Sequence, residues 1–261
     1  MDISVSTGAF YKYSYKEIIE IMSQINCNEI ELCLNNNFVN IPFADIIKEI
    51  EKKNLIVRSI HTPFEFLLKP DEDERVWIRK SIDLAKALGA NIITTHMLFS
   101  GTKSLVELHK NNLIEFRNND ITVCTENMPA VMANSATKNS FLCHSSELLN
   151  FLNEYGVSLT YDTTHWASCE KPIIDGYELF KDHIKNIHLS DYSDGVEHKI
   201  LGTGNLPVKE FIQTLQKGNY EHPLTIELDL ENKERNPVET KTQAIDALNT
   251  SLQVIYDALN Y

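Results

Sequence analysis

The segment SLTYDTTHWASC, residues 158–169, places an acid and a histidine three positions apart at the end of an apolar run. Asp162 and His165 have little use in a buried strand unless a partner there neutralises or binds them. A carboxylate and an imidazole are ligands that Mn²⁺, Co²⁺, Mg²⁺ and Zn²⁺ accept, whereas thiolates select softer metals. The segment therefore indicates a divalent-metal site, provided that further ligands lie nearby.

The same residue types end most of the other predicted strands. Six of eight short β-branched runs close on a histidine or a carboxylate, and another histidine follows in the loop after the seventh run. The set comprises His61, His96, Glu126, Asp162, His165, His188, Asp191, His198 and Glu227. One such histidine is better explained by structural hydrogen bonds, but repeated placement at the same end of consecutive strands is improbable, so we predict a metal site. Four histidines without this pattern are expected at the surface or at helix ends: His109, His144, His183 and His222.

An eightfold alternation of strands and helices would bring the predicted ligands together. The predicted strands are ISVST, EIELCL, IVRSIHTP, NIITTHM, ITVCTENM, SLTYDTTH, KNIHLSDY and PLTIELDL. Strands that alternate with helices pair in parallel, because each crossover needs a helix. Eight such units predict an α/β fold, a (β/α)₈ TIM barrel in a single domain over residues 1–261. Active sites of such barrels lie at the carboxyl ends of the strands, which is where the polar residues fall.

A doubly wound open sheet is the second possibility for the fold. It would usually place a glycine-rich turn after its first strand, whereas STGAFYK has a single glycine there. Gly89 is predicted to end a helix, and the loop from Asp191 to Pro207 is predicted to be the longest irregular segment after a strand. Within that loop, Gly202 and Gly204 have two explanations of equal weight. They form either a turn that enters the next helix or a backbone cradle for a phosphate or a sugar hydroxyl.

Charge and cysteine content limit the classes of function. The formal net charge of −13 gives a surface that repels phosphate backbones at long range, except where a bound metal reverses the local field. Five cysteines without CxxC spacing argue against a disulfide framework or a structural zinc site, and they fit reduced cytosolic thiols. We see no signal peptide and no apolar run of about 18 residues, so a cytoplasmic protein without membrane contact is expected.

Seven motifs, in their order and spacing, resemble the xylose isomerase-like barrel superfamily: SIHTP, TTHM, TENMP, YDTTH, IHLSD, EHKILGTGNLP and IELDL. This superfamily includes sugar isomerases and 3-epimerases, with the endonuclease IV family as a sister branch, and the resemblance covers nearly the whole chain. For the epimerase branch it implies one divalent ion, Mn²⁺, Zn²⁺, Co²⁺ or Mg²⁺, held by the matching Glu126, Asp162, His188 and Glu227. It also implies that the two glutamates face opposite sides of a substrate, where one removes a proton next to a carbonyl and the other delivers one.

The resemblance also implies roles for the additional histidines. His165 would orient a substrate hydroxyl or bind a further metal ion. His61, His96 and His198, together with His165, are candidates for the extra ligands with which the endonuclease branch holds three zinc ions. The same four histidines and Asp191 form the predicted substrate-binding set. One ion is expected, and two or three could bind.

The two branches differ in features that the sequence carries only in part. The endonuclease branch has an aspartate two residues before its loop histidine, where this chain has Val196. The loops TENMPAVMANSATKNS and DYSDGVEHK contain one lysine each, fewer cations than a DNA-binding loop needs. We therefore expect a metal-dependent isomerase or epimerase acting on a sugar, sugar phosphate or polyol. A zinc-dependent abasic-site endonuclease or another phosphodiesterase is the alternative, and a non-catalytic barrel is the third hypothesis. The expected partner is a small carbohydrate rather than nucleic acid, and the chain could form a homo-oligomer.

Overall fold

Eight parallel strands close into a barrel in the computed structural model, which describes residues 1–68, 73–96, 103–129, 142, 144–169 and 171–260. The barrel strands are β1 (Ile3–Ser6), β2 (Glu29–Cys33), β3 (Ile56–His61), β4 (Ile92–Thr95), β5 (Thr122–Glu126), β6 (Ser158–Asp162), β7 (Ile184–Leu189) and β10 (Leu224–Ile226). They lie side by side in chain order, and β10 closes the barrel against β1, with Leu224 opposite Ile3. This arrangement confirms the predicted (β/α)₈ barrel and sets the carboxyl ends of its strands at one rim.

Helices follow every barrel strand. They are α1 (Tyr15–Met22), α2 (Phe43–Lys52), α3 (Glu74–Leu88), α4 (Lys103–Phe116), α5 (Ser145–Tyr155), α6 (Thr163–Ala167), α7 (Ile173–Phe180), α8 (Val208–Lys217) and α9 (Lys241–Leu259). Two 3₁₀ helices, Thr7–Ala9 and Glu65–Leu67, follow β1 and β3. Gly89 ends α3 in the left-handed conformation, as predicted, and Asp73 begins it by accepting a hydrogen bond from the backbone of Val76. None of the helices in the described part of the chain has the length and apolar composition that a bilayer span requires.

The segment after β7, predicted to be irregular, begins instead with an antiparallel hairpin. Strands β8 (Asp191–Ser193) and β9 (Val196–Lys199) pair across a turn at Asp194 and Gly195, whose φ angles are 53° and 81°. Two consecutive residues with positive φ suit the twist of a two-residue hairpin turn, which explains the Asp-Gly pair. The hairpin carries His198, itself at a φ of 55°, to the rim of the barrel.

Apolar side chains fill the space between the sheet and the surrounding helices. Ile30 and Leu32 of β2 and Ile46 of α2 are fully buried members of one continuous apolar cluster. Their removal from water stabilises the fold by about 25 cal/mol per Å² of apolar surface. Alternate residues of β2 therefore face outward to the helices, and the residues between them face the barrel interior.

The interior of the barrel contains a layer of polar side chains, which we call the polar layer. Its members are Ser4, Glu31, Ser59, Thr94, Thr160, Asn186 and Thr225, all fully buried. Bonds between strands that are not neighbours cross the interior: Oγ1 of Thr94 lies 2.8 Å from Oγ1 of Thr160, and Nδ2 of Asn186 lies 3.2 Å from Oε2 of Glu31. Buried polar groups are tolerated when they are hydrogen-bonded, so this layer is stable only as a connected network.

Candidate metal centre

Four predicted ligands from four consecutive barrel strands converge at the carboxyl rim. Glu126 ends β5, Asp162 ends β6, His188 lies in β7, and Glu227 directly follows β10. Each offers one ligand atom, and the four atoms lie within 4.8 Å of one another. The first three residues are buried, whereas the side chain of Glu227 is 17% exposed. Together they form a mixed carboxylate and imidazole set with one member open to solvent, which suits a divalent cation that must also meet a substrate.

The contacts of His188 show why this group fits a cation. Its Nδ1 atom lies 3.1 Å from Oε1 of Glu126 and 3.0 Å from Oε2 of Glu227, and its Nε2 atom lies 3.1 Å from Oε2 of Glu31. Burial opposes protonation of the imidazole, but the three carboxylates outweigh burial and raise the pKa of His188 well above its usual value. Without metal, a proton would occupy the position between the carboxylates. A divalent ion can replace that proton and neutralise more of the buried charge.

A second group of possible ligands shares Glu126 with the first. It consists of His61 at the end of β3, His96 directly after β4, and Glu126. Nδ1 of His61 lies 2.8 Å from the carbonyl oxygen of Thr62, so the other ring nitrogen, Nε2, can present a lone pair towards Glu126 at 3.4 Å. Burial keeps the pKa of His96 well below its usual value, against the opposing effect of Glu126. His96 is thus suited to the neutral, ligating form, whereas at His61 burial is outweighed by Cys33 and Glu126, which raise its pKa well above the usual value, so an ion bound there would displace a proton.

A third group consists of Asp162, His165 and His198. Oδ1 of Asp162 caps α6 by accepting hydrogen bonds from the backbone of His165 at 2.6 Å and from Oγ1 of Thr164 at 3.0 Å. Its Oδ2 atom is buried and has no hydrogen-bond partner among the described residues. A buried carboxylate oxygen without a donor is costly, and a cation at that position would satisfy it. The rings of His165 and His198 meet edge to face with their centroids 5.2 Å apart.

Asp194 and Glu197, the acidic residues on either side of Val196 and Gly195, do not supply a further carboxylate to this third group. Asp194 lies exposed in the hairpin turn. Glu197 lines the recess above the site, and its Oε1 atom is buried without a hydrogen-bond partner in the described part of the chain. Neither residue belongs to a ligand group. The third group therefore takes its only carboxylate from Asp162, which the first group also uses.

Asp191, predicted to bind substrate, is not brought into the site. Its carboxylate accepts backbone hydrogen bonds from Tyr192, Gly202, Gly204 and Leu206 at 2.9–3.1 Å. The side chain is buried and anchors the glycine-containing loop against the hairpin. The proposed phosphate cradle is therefore already occupied by this carboxylate, and the structure favours the structural explanation of the two glycines.

Two recesses of about 230 and 430 Å³ adjoin the ligand groups, and Glu227 and His198 line both. Phe64 and Phe66 form a stacked pair beside them, with ring centroids 5.7 Å apart. Arg235 also lines both recesses, and its Nη1 atom lies 3.1 Å from Oδ2 of Asp229. A chamber with an aromatic wall and polar ends suits a small polar molecule.

Arg58 and Lys199 do not line either recess. Arg58 forms a two-pronged ion pair with Glu29 at the amino end of the barrel, and Lys199 donates to Ser193 within the hairpin. Arg235 is the one Lys or Arg side chain that lines either recess within the described ranges. It lies in an irregular segment after β10, where no periodic pattern predicts the direction of a side chain.

His109, expected at the surface or at a helix end, is buried in the middle of α4. Its Nδ1 atom lies 2.6 Å from Oε1 of Glu74 at the start of α3, and its Nε2 atom lies 3.0 Å from Oγ1 of Thr125. Glu74 also accepts hydrogen bonds from Asn112 and Thr95. This network joins α3 and α4 to the ends of β4 and β5, next to Glu126 and His96. The expectation was wrong because the partner of His109 lies 35 residues away in the sequence.

Glu31 is the functional candidate that sequence reasoning missed. It lies in the middle of β2, is fully buried, and contacts His188, Ser59 and Asn186. A signal was present in EIELCL, where the apolar Ile30 and Leu32 alternate with Glu31. In a barrel whose outward positions are apolar, a glutamate between them faces the interior and needs a polar partner there.

The family model described as xylose isomerase-like TIM barrel matches residues 19–251. No curated protein matches the sequence. D-allulose 3-epimerase from Methylomonas sp. is similar with a TM-score of 0.73 at 16% identity, over 99% of this chain and 97% of that chain. AP endonuclease family 2 from Brucella melitensis gives 0.71 at 13% identity, over 93% and 95%. 3-Keto-D-glucoside 4-epimerase from E. coli gives 0.72 at 14% identity, over 97% and 99%. At these identities the likeness shows the fold.

Proposed function

Because the chain belongs to the xylose isomerase-like TIM barrel family, we propose that it is a divalent-metal-dependent isomerase or epimerase acting on a sugar, sugar phosphate or polyol. The observation that carries this proposal is the meeting of Glu126 and Glu227 at Nδ1 of His188. Two carboxylates beside one cation site can remove a proton from carbon and return one. The sugar epimerases that share the fold support the carbohydrate class.

In this proposal the metal ion is held by Glu126, Asp162, His188 and Glu227. When bound, it would act as a Lewis acid on a carbonyl oxygen of the substrate and would make the neighbouring carbon-bound proton more acidic. The donor set fits such an ion because Oδ2 of Asp162 lacks a hydrogen-bond partner among the described residues and the two glutamates face one imidazole nitrogen.

The positions of the side chains around the smaller recess suggest their separate roles in the proposed reaction. Glu126 and Glu227 line the smaller recess, so a substrate there would lie within reach of both carboxylates. One takes the proton from carbon and the other supplies a proton to the opposite side. His165 and His198 line the same recess and could hold substrate hydroxyls, while Phe64 and Phe66 shield one side from water.

Exchange of a carbon-bound proton tests the two-glutamate mechanism. The protein loaded with Mn²⁺ or Co²⁺ is incubated in D₂O with free and phosphorylated ketoses, beginning with D-allulose and D-tagatose, and deuterium incorporation is followed by NMR. Glu126→Gln and Glu227→Gln should each lower incorporation by about 100-fold or more. Glu29→Gln, at the amino end of the barrel, is the control. Full exchange in both pocket variants, or none with the wild type across the panel, would reject the proposal.

A zinc-dependent phosphodiesterase is the second candidate function. The second and third ligand groups favour it, because they share Glu126 and Asp162 with the first and could place three ions side by side. Neighbouring metal ions can stabilise the attacking and the leaving oxygen when a phosphoester bond is cleaved. Incubation of the zinc-loaded protein with an abasic-site duplex decides the matter. Incision that His96→Ala abolishes would favour this function, and intact duplex with a fully zinc-loaded protein would exclude the abasic-site activity.

A further inference from the structure

The ring of His188 is held at both nitrogens by carboxylates from different sides of the barrel. Nδ1 faces Glu126 and Glu227, while Nε2 lies 3.1 Å from Oε2 of Glu31. Strands β2 and β7 are not neighbours, so the contact between Glu31 and His188 crosses the barrel interior. Both side chains are fully shielded from solvent. No bulk water can replace either partner.

Glu31 is itself fixed by the polar layer. Its Oε2 atom accepts hydrogen bonds from Oγ of Ser59 at 2.8 Å and from Nδ2 of Asn186 at 3.2 Å. The carbonyl oxygen of the Asn186 side chain accepts in turn from Thr225 at 2.9 Å, which sets the direction of the amide. Oε1 of Glu31 has no hydrogen-bond partner among the described residues. All the bonds of this carboxylate therefore run through the oxygen that faces His188.

We propose that Glu31 is a positioning residue of the metal centre, and that it selects Nδ1 of His188 as the ligand atom. A neutral imidazole carries one N–H, and an ionised carboxylate can only accept a hydrogen bond. The carboxylate at Nε2 therefore holds the proton there and leaves the lone pair of Nδ1 directed towards Glu126 and Glu227. This proposal rests on the metal centre of the proposed function but not on its substrate.

The competing explanation is that Glu31 merely completes the polar layer. A purely structural role predicts that its removal lowers the stability of the protein and leaves the metal affinity and the protonation of His188 unchanged. A positioning role predicts changes in both, even in a variant that folds normally. Loss of an acceptor of this kind typically lowers metal affinity by about 10- to 100-fold.

Two variants separate these explanations. Glu31→Gln keeps an acceptor oxygen for His188 and places its amide nitrogen at the position of Oε1, where no donor has to be displaced. Glu31→Ala removes the acceptor. Glu29→Gln is the matched control, because it lies two residues away on the same strand and its carboxylate pairs with Arg58 instead. Circular dichroism and thermal unfolding of the metal-free proteins establish which variants are folded.

The measurement is Co²⁺ affinity of the metal-stripped protein by calorimetry and visible absorption, with ¹⁵N NMR of the histidine rings in the Zn²⁺-loaded form. We expect Glu31→Ala to bind Co²⁺ about 10- to 100-fold more weakly, Glu31→Gln to be intermediate, and Glu29→Gln to match the wild type. The wild type should show the His188 proton on Nε2. Unchanged affinity and an unchanged His188 spectrum in folded Glu31→Gln and Glu31→Ala would overturn the proposal.

The same experiment keeps this inference apart from the isomerase proposal. Its readouts are metal affinity and imidazole protonation, so a wild type that binds Co²⁺ but converts no sugar would overturn the isomerase alone. A wild type that binds no Co²⁺ would overturn both. If Glu31→Ala alone fails to fold, Glu31→Gln still decides, because weakened Co²⁺ binding in this variant supports the positioning role and unchanged binding overturns it.

Discussion

Glu126 and Glu227 approach the same atom from the ends of two different strands, since Nδ1 of His188 lies 3.1 Å from Oε1 of the first and 3.0 Å from Oε2 of the second. The two glutamates are 101 residues apart in the sequence, and the closure of the barrel brings them together. Two carboxylates at this distance from one imidazole nitrogen repel each other unless a positive charge lies between them. The behaviour of the protein should therefore depend on what supplies that charge.

Metal removal should destabilise the protein. A ligand that binds only the folded state at 100 times its dissociation constant stabilises that state by about 2.7 kcal/mol. For a chain of this size we expect Tm to fall by about 5 °C or more when a chelator removes the ion. Differential scanning calorimetry with and without added Zn²⁺ or Mn²⁺ measures the shift. An equal shift in Glu126→Gln would show that the ion stabilises the protein from some other place.

The first ligand group should bind its ion more tightly than the other two, because it alone has three carboxylates. His188→Ala should weaken binding of the first equivalent of Zn²⁺ by more than about 100-fold, whereas His96→Ala should leave that equivalent unchanged. Titration combined with elemental analysis gives affinity and stoichiometry together. If His96→Ala abolished the first equivalent, the second ligand group would be the principal site.

Metal binding should release protons. Burial opposes protonation of His165, but Asp162 and Glu126 outweigh it and raise the pKa of His165 to about 9 in the metal-free protein. Its imidazole is therefore protonated at neutral pH, while the ligating form is neutral, so affinity should rise as pH increases towards that pKa. Calorimetry with Zn²⁺ in two buffers of different ionisation enthalpy counts the protons. Identical heats in both buffers would contradict this expectation.

Acid should destabilise the network around His109. Burial opposes ionisation of Glu74, but His109 and the donated hydrogen bonds outweigh it and hold the pKa of Glu74 below its usual value of 4.5. A lowered pKa contributes stability above the unfolded-state value, and that stability is lost as pH falls through the lower, folded-state value. Glu74→Gln should therefore flatten the loss of unfolding free energy below about pH 4.5, measured with urea. The exposed Glu147→Gln is the control, and parallel curves for wild type and Glu74→Gln would contradict the prediction.

The polar layer should respond to the loss of a single hydroxyl. Thr225→Val keeps the shape of the side chain but removes the donor to the Asn186 side-chain oxygen and the partner of Ser4. A buried acceptor left without a donor costs about 1–3 kcal/mol, which should lower the urea midpoint. Thr225→Ser retains the hydroxyl and should lose less. A Thr225→Val protein as stable as the wild type would mean that the layer accommodates unpaired groups.

The strand ends could be predicted because their signal is local. A β-branched run that closes on Glu126 or His61 carries both the strand and the predicted ligand within a few residues, and the barrel brings such ends to one rim. The β8–β9 hairpin was missed although Asp194-Gly195 is a strong two-residue turn signal, because its flanking strands span only three and four residues.

The remaining site features depend on contacts between distant parts of the chain. His109 pairs with Glu74 of another helix, and Glu31 contacts His188 on a strand that lies across the barrel. Asp191 lies just beyond the end of β7, at the same rim as the predicted ligands, but its carboxylate accepts hydrogen bonds from the amides of its own loop. The residue type at a strand end therefore predicts that the residue lies at the rim. The direction of its side chain depends on which hydrogen-bond donors the fold places nearby.

The hydrogen-bonded interior of the barrel links the stability of the protein to its affinity for the proposed metal ion. Engineering for heat resistance commonly fills such a space with branched aliphatic residues, and this exchange often gains stability because no desolvated polar atom remains. In this molecule such a replacement would also remove Glu31, the hydrogen-bond acceptor at Nε2 of His188. Selection for thermal stability alone would thus tend to yield a more stable barrel with a lower affinity for the proposed metal ion.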